Sequence, residues 1–274
     1  MTKRKGVLQR LLAAPYLVWA ALFIIVPLAM VIYYAFTDKS GSFTFQNFSE
    51  IANFTHTFTL SIWLGAVSTV ICLVIAYPLA YMMSRMKPRH QRLAMMLVML
   101  PMWINLILRT YALMNILADT GIINRLLELV GLPPVHIINT QGAVVAGMVY
   151  NFIPYMIMPI YNVMTRIDPP VLEASRDLGG NFFQTFRRVI FPLSLPGIVS
   201  GITMVFVPSV STFYISTKLG GTIALVGDII EFTFIGETNY NVGASMSLIL
   251  MAMILLCMLV MNRFTDGEEE GLIV

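Results

Sequence analysis

No charged residue stands between Leu11 and Thr37. A helix of ~20 apolar residues crosses a bilayer core. No water reaches the backbone there, so a run of this kind must satisfy its hydrogen bonds within itself, as a helix does. A cleaved leader is the rival reading of the run. The apolar core of a leader is ~7–15 residues long and ends in small side chains. This run is longer and ends in Ile32-Tyr33-Tyr34-Ala35-Phe36, so it is expected to remain as a first span, about 11–37. Five further apolar runs follow, at about 59–84, 93–118, 141–165, 195–217 and 242–262. With 58% hydrophobic and 11% charged residues, the chain lies outside the range of soluble domains. The expected fold class is an all-α polytopic membrane protein with six transmembrane helices, forming a single transmembrane domain over residues 1–274.

Orientation follows from the bias of Lys and Arg towards the cytoplasmic side. With the N-terminus inside, the inner segments collect the clusters Lys3 to Arg10, Arg85 to Arg92 and Arg187-Arg188, together with Arg166, Arg176 and Arg263. The outer segments hold only Lys39, Arg125 and Lys218. Both termini are therefore expected to be cytoplasmic. Arg109 is left within a span, where a charge is costly and should face protein or water.

The segment Asp168 to Pro196 interrupts the pattern on the inner side. Asp168-Pro169-Pro170 ends the preceding helix, because proline lacks a donor and disfavours helix at the residue before it. Val171 to Leu178 can form a short helix, which Gly179-Gly180 ends. Asn181 to Ile190 can form a second, and Pro192 starts the next run. The segment is thus expected to be a surface knob with Phe182 and Phe183 on its apolar positions, suited to a groove on another protein.

Within it the order is Glu173-Ala174-Ser175, three residues, Gly179, nine residues, then Val189-Ile190-Phe191-Pro192. This resembles the Glu-Ala-Ala loop of ABC importer permeases of the binding-protein-dependent type. The spacing matches throughout, and Ser175, Val189 and Phe191 depart from the usual Ala, Ile and Leu. The resemblance covers nearly the whole chain, which is most similar to permease subunits of spermidine/putrescine importers. It implies the type I importer architecture in a bacterial inner membrane. It also implies that Glu173, Ala174, Ser175, Gly179, Phe182, Phe183 and Pro192 couple the permease to a dimer of ATPase subunits. Further implied partners are a second homologous permease, a periplasmic binding protein and a small cationic substrate, with no nucleic acid. ATP and Mg would be used by the partner ATPase, and no cofactor is expected on this chain.

The chain has no G-x-x-x-x-G-K-[ST] phosphate loop, and Arg109 is its one charged residue within a span. Arginine stays protonated and makes a poor acid or base, so an enzyme is not expected. Cys72 and Cys257 read as small hydrophobes, and His56, His90 and His136 have no metal-site spacing. Substrate pathways favour interrupted helices. The candidates are Pro208, Ser209, Thr212, Phe213 and Tyr214 in the fifth run, with Ser209, Thr212 and Ser216 on one helical face, and Tyr150, Asn151 and Tyr155 in the fourth. Helix packing is the alternative for both sets. Gly197 and Gly201 form G-x-x-x-G, which suits close helix contact. Asp228 and Glu231, at i and i+3, with Glu237, lie among aromatics in the outer segment 218–241. They form a candidate acidic site for a polyamine, or a solvated loop that meets a binding protein. An amino acid or an inorganic anion remains open as the substrate. An ion-coupled secondary transporter and a non-transport scaffold are the rivals from other classes.

Overall fold

The structure is a computed structural model that describes residues 15–269, apart from the side chains of Arg176 and of residues 262–269. The basic cluster Lys3 to Arg10, the first residues of the leading run and the last of the acidic tail lie outside the described residues. The described residues are helical, with no strand beyond one bridge pair, Thr37 with Phe43. Six segments are long and apolar enough to cross a membrane: Pro15–Ala35, Gln46–Ser84, Leu106–Leu129, Gln141–Met164, Phe182–Ser211 and Tyr240–Met261. The contacts divide the chain into two compact units, one of residues up to Thr55 with Ile230–Met253, the other of His56–Ile229 with the residues from Ile254 onward.

In the first unit, helix α1 (Pro15–Ala35) ends in a knot of polar side chains. The last carbonyls of a helix have no partner within it. Here Asn47, from α2 (Gln46–Ile51), donates to the carbonyls of Ala35 and Thr37 at 3.1 and 2.8 Å. Asn241 donates to Tyr34 and Thr37, and Ser245 to Ala35. Phe36 lies among Phe43, Phe45 and Phe48, with ring centroids within 5.9 Å. The stretch between the first two spans thus holds a short helix and an aromatic cluster.

In the second unit, α3 (Thr55–Ser84) is followed by α4 (Pro88–Met99), whose first two turns carry the basic Arg89 and Arg92. The expected third run, 93–118, is not one helix. Pro101 sits in a tight turn at Leu100–Trp103, Ile104 is extended, and Asn105 restarts the chain by accepting the N–H of Ile107 at 2.8 Å. Helix α5 (Leu106–Leu117) begins there, and α6 (Ile122–Leu129) follows a turn. Asn124 of α6 is buried and closes its loop, exchanging bonds with the backbone of Val135 at 3.0 and 2.8 Å.

The core of this unit lies between α7 (Gln141–Met164) and α10 (Phe191–Ser211). Gly197 and Gly201 face α7 at close range. A Cβ on Gly197 would come within 2.8 Å of the Pro159 carbonyl, and one on Gly201 within 2.7 Å of the Met156 sulfur. Met148, Met156 and Met164 are fully buried there, where unbranched thioethers fill the irregular gaps left by glycines and prolines.

The fifth run departs from expectation at its end. Pro208 lies inside α10 without ending it. The helix stops at Ser211; Thr212 is extended and Phe213 irregular, and α11 (Tyr214–Leu219) starts after this break. Ser209, Thr212 and Ser216 therefore share no helical face. The next helix, α12 (Val226–Glu231), is tied to α11 by Asp228. The last, α13, is Tyr240–Glu269.

Candidate coupling site

Between α7 and α10 the chain folds into α8 (Pro169–Asp177) and α9 (Phe182–Thr185), and a widened turn at Phe186–Ile190 leads into α10. The turn between α8 and α9 depends on two glycines in different ways. Gly179 has φ +80° and open space around its Cβ position, so it is there for its backbone alone. Gly180 is there for room. Its N–H bonds the Ser175 carbonyl at 3.0 Å, and a Cβ would lie 2.6 Å from that oxygen. Asn181 then starts α9 with a reciprocal cap. Its side chain accepts the Gln184 N–H at 2.9 Å, and the Gln184 side chain accepts the Asn181 N–H at 3.0 Å, which satisfies two free donors of the helix end. Ser175 and Thr185 join the two short helices by a hydroxyl pair at 2.9 Å.

The knob is anchored on one side and bare on the other. Phe186 packs edge-on against Tyr77 of α3 at 5.6 Å, and Phe182 against Tyr81 at 6.4 Å. Phe182 and Phe183 are nevertheless 68% exposed, and Leu178 is 89% exposed. Glu173 and Ala174 are also exposed, as is Pro192, while Ser175 is half-buried. A groove of about 520 Å³ runs between the short helices, lined by Ala174, Ser175, Leu178, Gly180, Gln184 and Arg188. The structure thus brings Ala174, Ser175 and Gly179 into one groove with Phe182 and Phe183 close by in the chain. Leu178 was not named as a coupling residue from the sequence, and Gly180 was read there only as part of a helix stop. The available signal was an apolar residue at the end of a polar helix, followed by paired glycines.

The candidate pathway residues differ in exposure. Asn151 is fully buried on α7, donating to the Gly147 carbonyl at 2.9 Å, and its Oδ1 has no protein partner. Ser209 is fully buried and its hydroxyl has no partner. Thr212 is buried, Tyr214 half-buried, and Tyr150, Tyr155 and Phe213 exposed. Tyr150 lines a groove of about 720 Å³ against Trp63 and Val67 of α3. Arg109 on α5 is 7% exposed, with Nε and one terminal nitrogen lacking a partner.

Of the three outer acids, Asp228 is engaged. One carboxylate oxygen accepts the hydroxyls of Ser216 and Thr217 at 3.0 and 2.8 Å, and the other accepts the Leu225 N–H at 2.6 Å. Glu231 and Glu237 are exposed.

Comparison with known proteins places these features in a family. Residues 73–267 match the model of the binding-protein-dependent transport system inner membrane component. The chain is 35% identical, over 96% of both sequences, to the spermidine/putrescine transport system permease protein PotB of Haemophilus influenzae. It is 32% identical to the Escherichia coli protein of that name, over 89% of this chain and 93% of that one. Its fold is similar to a chain of a bacterial ABC transporter that imports the acidic polysaccharide alginate, with TM-score 0.80, 17% identity and 97% and 96% coverage. It is also similar to a chain of the MetNI methionine ABC transporter, with TM-score 0.58, 20% identity and 77% and 94% coverage. The chain belongs to the family of binding-protein-dependent transport system inner membrane components, as a multi-pass protein of the inner membrane.

Proposed function

We propose that this chain is the permease subunit of an ATP-driven importer of polyamines and that the segment Pro169 to Pro192 is its coupling element. The observation that carries the coupling role is the bare apolar side of the knob, Leu178, Phe182 and Phe183, on a turn held rigid by glycines, a cap and a hydroxyl pair. Apolar rings left in contact with water on an otherwise anchored element mark a surface that another protein covers. The basic residues of the inner segments support placing both termini, and this knob, on the cytoplasmic side. An ATPase dimer that uses ATP and Mg docks there. A second homologous permease completes the pathway, and a periplasmic binding protein delivers substrate. Closure of the ATPases moves the knob and shifts the spans between inward- and outward-open arrangements. The polyamine assignment is supported by the relatives named spermidine/putrescine permease, at 35% and 32% identity over most of the chain.

The test is co-purification of the ATPase from membranes. Phe182→Asp with Phe183→Asp should cut recovered ATPase at least tenfold while the permease stays at its normal membrane level. Undiminished recovery would contradict the docking role.

A further inference from the structure

Lys218 holds its ammonium beside a pair of tyrosine rings, 5.5 Å from the centroid of Tyr111 and 5.7 Å from that of Tyr214. The rings stand 6.3 Å apart at 76°. Cations within ~6 Å of a ring face are attracted by its negative face, and here two faces share one charge. Tyr111 comes from α5. Tyr214 opens α11 just after the break at Thr212–Phe213, and Lys218 lies four residues on, one turn along the same face. The lysine does not make the ring pair. Ile215 and Leu219 are fully buried, with a Cβ on Gly147 of α7 meeting both, and Ser216 and Thr217 are bonded to Asp228. The backbone that carries Tyr214 is thus fixed by packing and by a carboxylate. Lys218 is also the one Lys or Arg between Arg188 and Arg263.

We propose that the Tyr111–Tyr214 pair is a binding site for alkylammonium groups and that Lys218 is its tethered occupant, which an incoming diamine displaces. The lysine end is a primary ammonium on a methylene stem, which is also the chemistry of a polyamine end, so the rings accept either. The proposal rests on the polyamine reading for its natural ligand. A tethered competitor acts at an effective concentration of order mM. It keeps the site from holding a ligand tightly, and its return drives the ligand onward. A pathway needs sites of this kind, strong enough to be entered and weak enough to be left.

Two measurements on the complete complex test this. The first follows acetylation of Lys218 by an N-hydroxysuccinimide ester, read by mass spectrometry. Hexamethonium, a bis-quaternary diammonium that cannot react with the ester, should raise the Lys218 rate at least threefold and leave Lys39 unchanged. Sodium chloride at equal ionic strength and 1,6-hexanediol should do nothing. An unchanged Lys218 rate would overturn the site. The second follows putrescine uptake. Lys218→Met should lower KM about fivefold, and Tyr111→Leu should raise it at least tenfold. Intact uptake with unchanged KM in Lys218→Met overturns the site and leaves the polyamine function standing. No polyamine uptake by the wild-type complex overturns the substrate reading instead, and the acetylation result then decides the ammonium site alone.

Discussion

Gly179 and Gly180 are neighbours with opposite reasons for lacking a side chain. At Gly179 the positive φ is the whole requirement, and asparagine tolerates that region better than other residues. At Gly180 the Ser175 carbonyl occupies the place of the Cβ. Gly179→Asn should therefore cost under about 1 kcal/mol. Gly180→Ala should cost about 1–3 kcal/mol, because it pushes against backbone that no rotamer change can move. Thermal unfolding of the purified permease checks the order, and equal losses would contradict it. Gly179 was legible in the sequence because a helix stop acts locally, through the residues that flank it. Asp228 was not. Its partners Ser216 and Thr217 lie across a turn, and the carboxylate that looked available to substrate caps α12 and ties it to α11. Asp228→Asn puts an N–H₂ where one of these donors points. It should destabilise by about 0.5–1.5 kcal/mol, the net worth of a lost hydrogen bond. A melting temperature equal to wild type would return Asp228 to the list of open acids.

At the scale of elements, the prolines inside α7 and α10 mislead and the glycines inform. Pro154 and Pro159 lie within α7, and Pro196 and Pro208 within α10, without ending either helix. Neighbouring helices in a membrane bundle can satisfy the backbone groups that proline frees. The fifth helix ends instead at Thr212–Phe213, where nothing in the residue types announces a stop. The third run likewise breaks at Ile104–Asn105, where Pro101 and an asparagine cap outweigh the apolar composition that suggested one span. Gly197 and Gly201 were readable because small residues one turn apart mean close approach. Gly201→Leu should wedge α10 away from α7 at Met156 and cost about 1–3 kcal/mol through overpacking. The measurement is unfolding in detergent beside Ser200→Leu, an exposed neighbour that should be near neutral. A neutral Gly201→Leu would mean that the two helices are not held at this contact.

For the whole molecule, the fold class followed from apolar runs of bilayer length, and the family from the spacing of Glu173, Gly179 and Pro192. Both are local patterns, so a single sequence carries them. The pathway was less legible. Asn151 and Ser209 are buried inside the helical core of their unit, while Tyr150 and Phe213 are exposed. Polarity within a span marks core contacts as readily as a route for substrate. The central claim is that ATP-driven passage of a polyamine depends on the exposed knob between α7 and α10. Its most direct test is uptake of labelled putrescine into proteoliposomes holding the complete complex, with the nucleotide-binding side supplied with ATP or left without it. Wild type should take up putrescine only with ATP, and Gly179→Glu should lose at least nine-tenths of that uptake with the complex intact in the membrane. Full uptake by Gly179→Glu, or uptake driven by an ion gradient without ATP, would contradict the account.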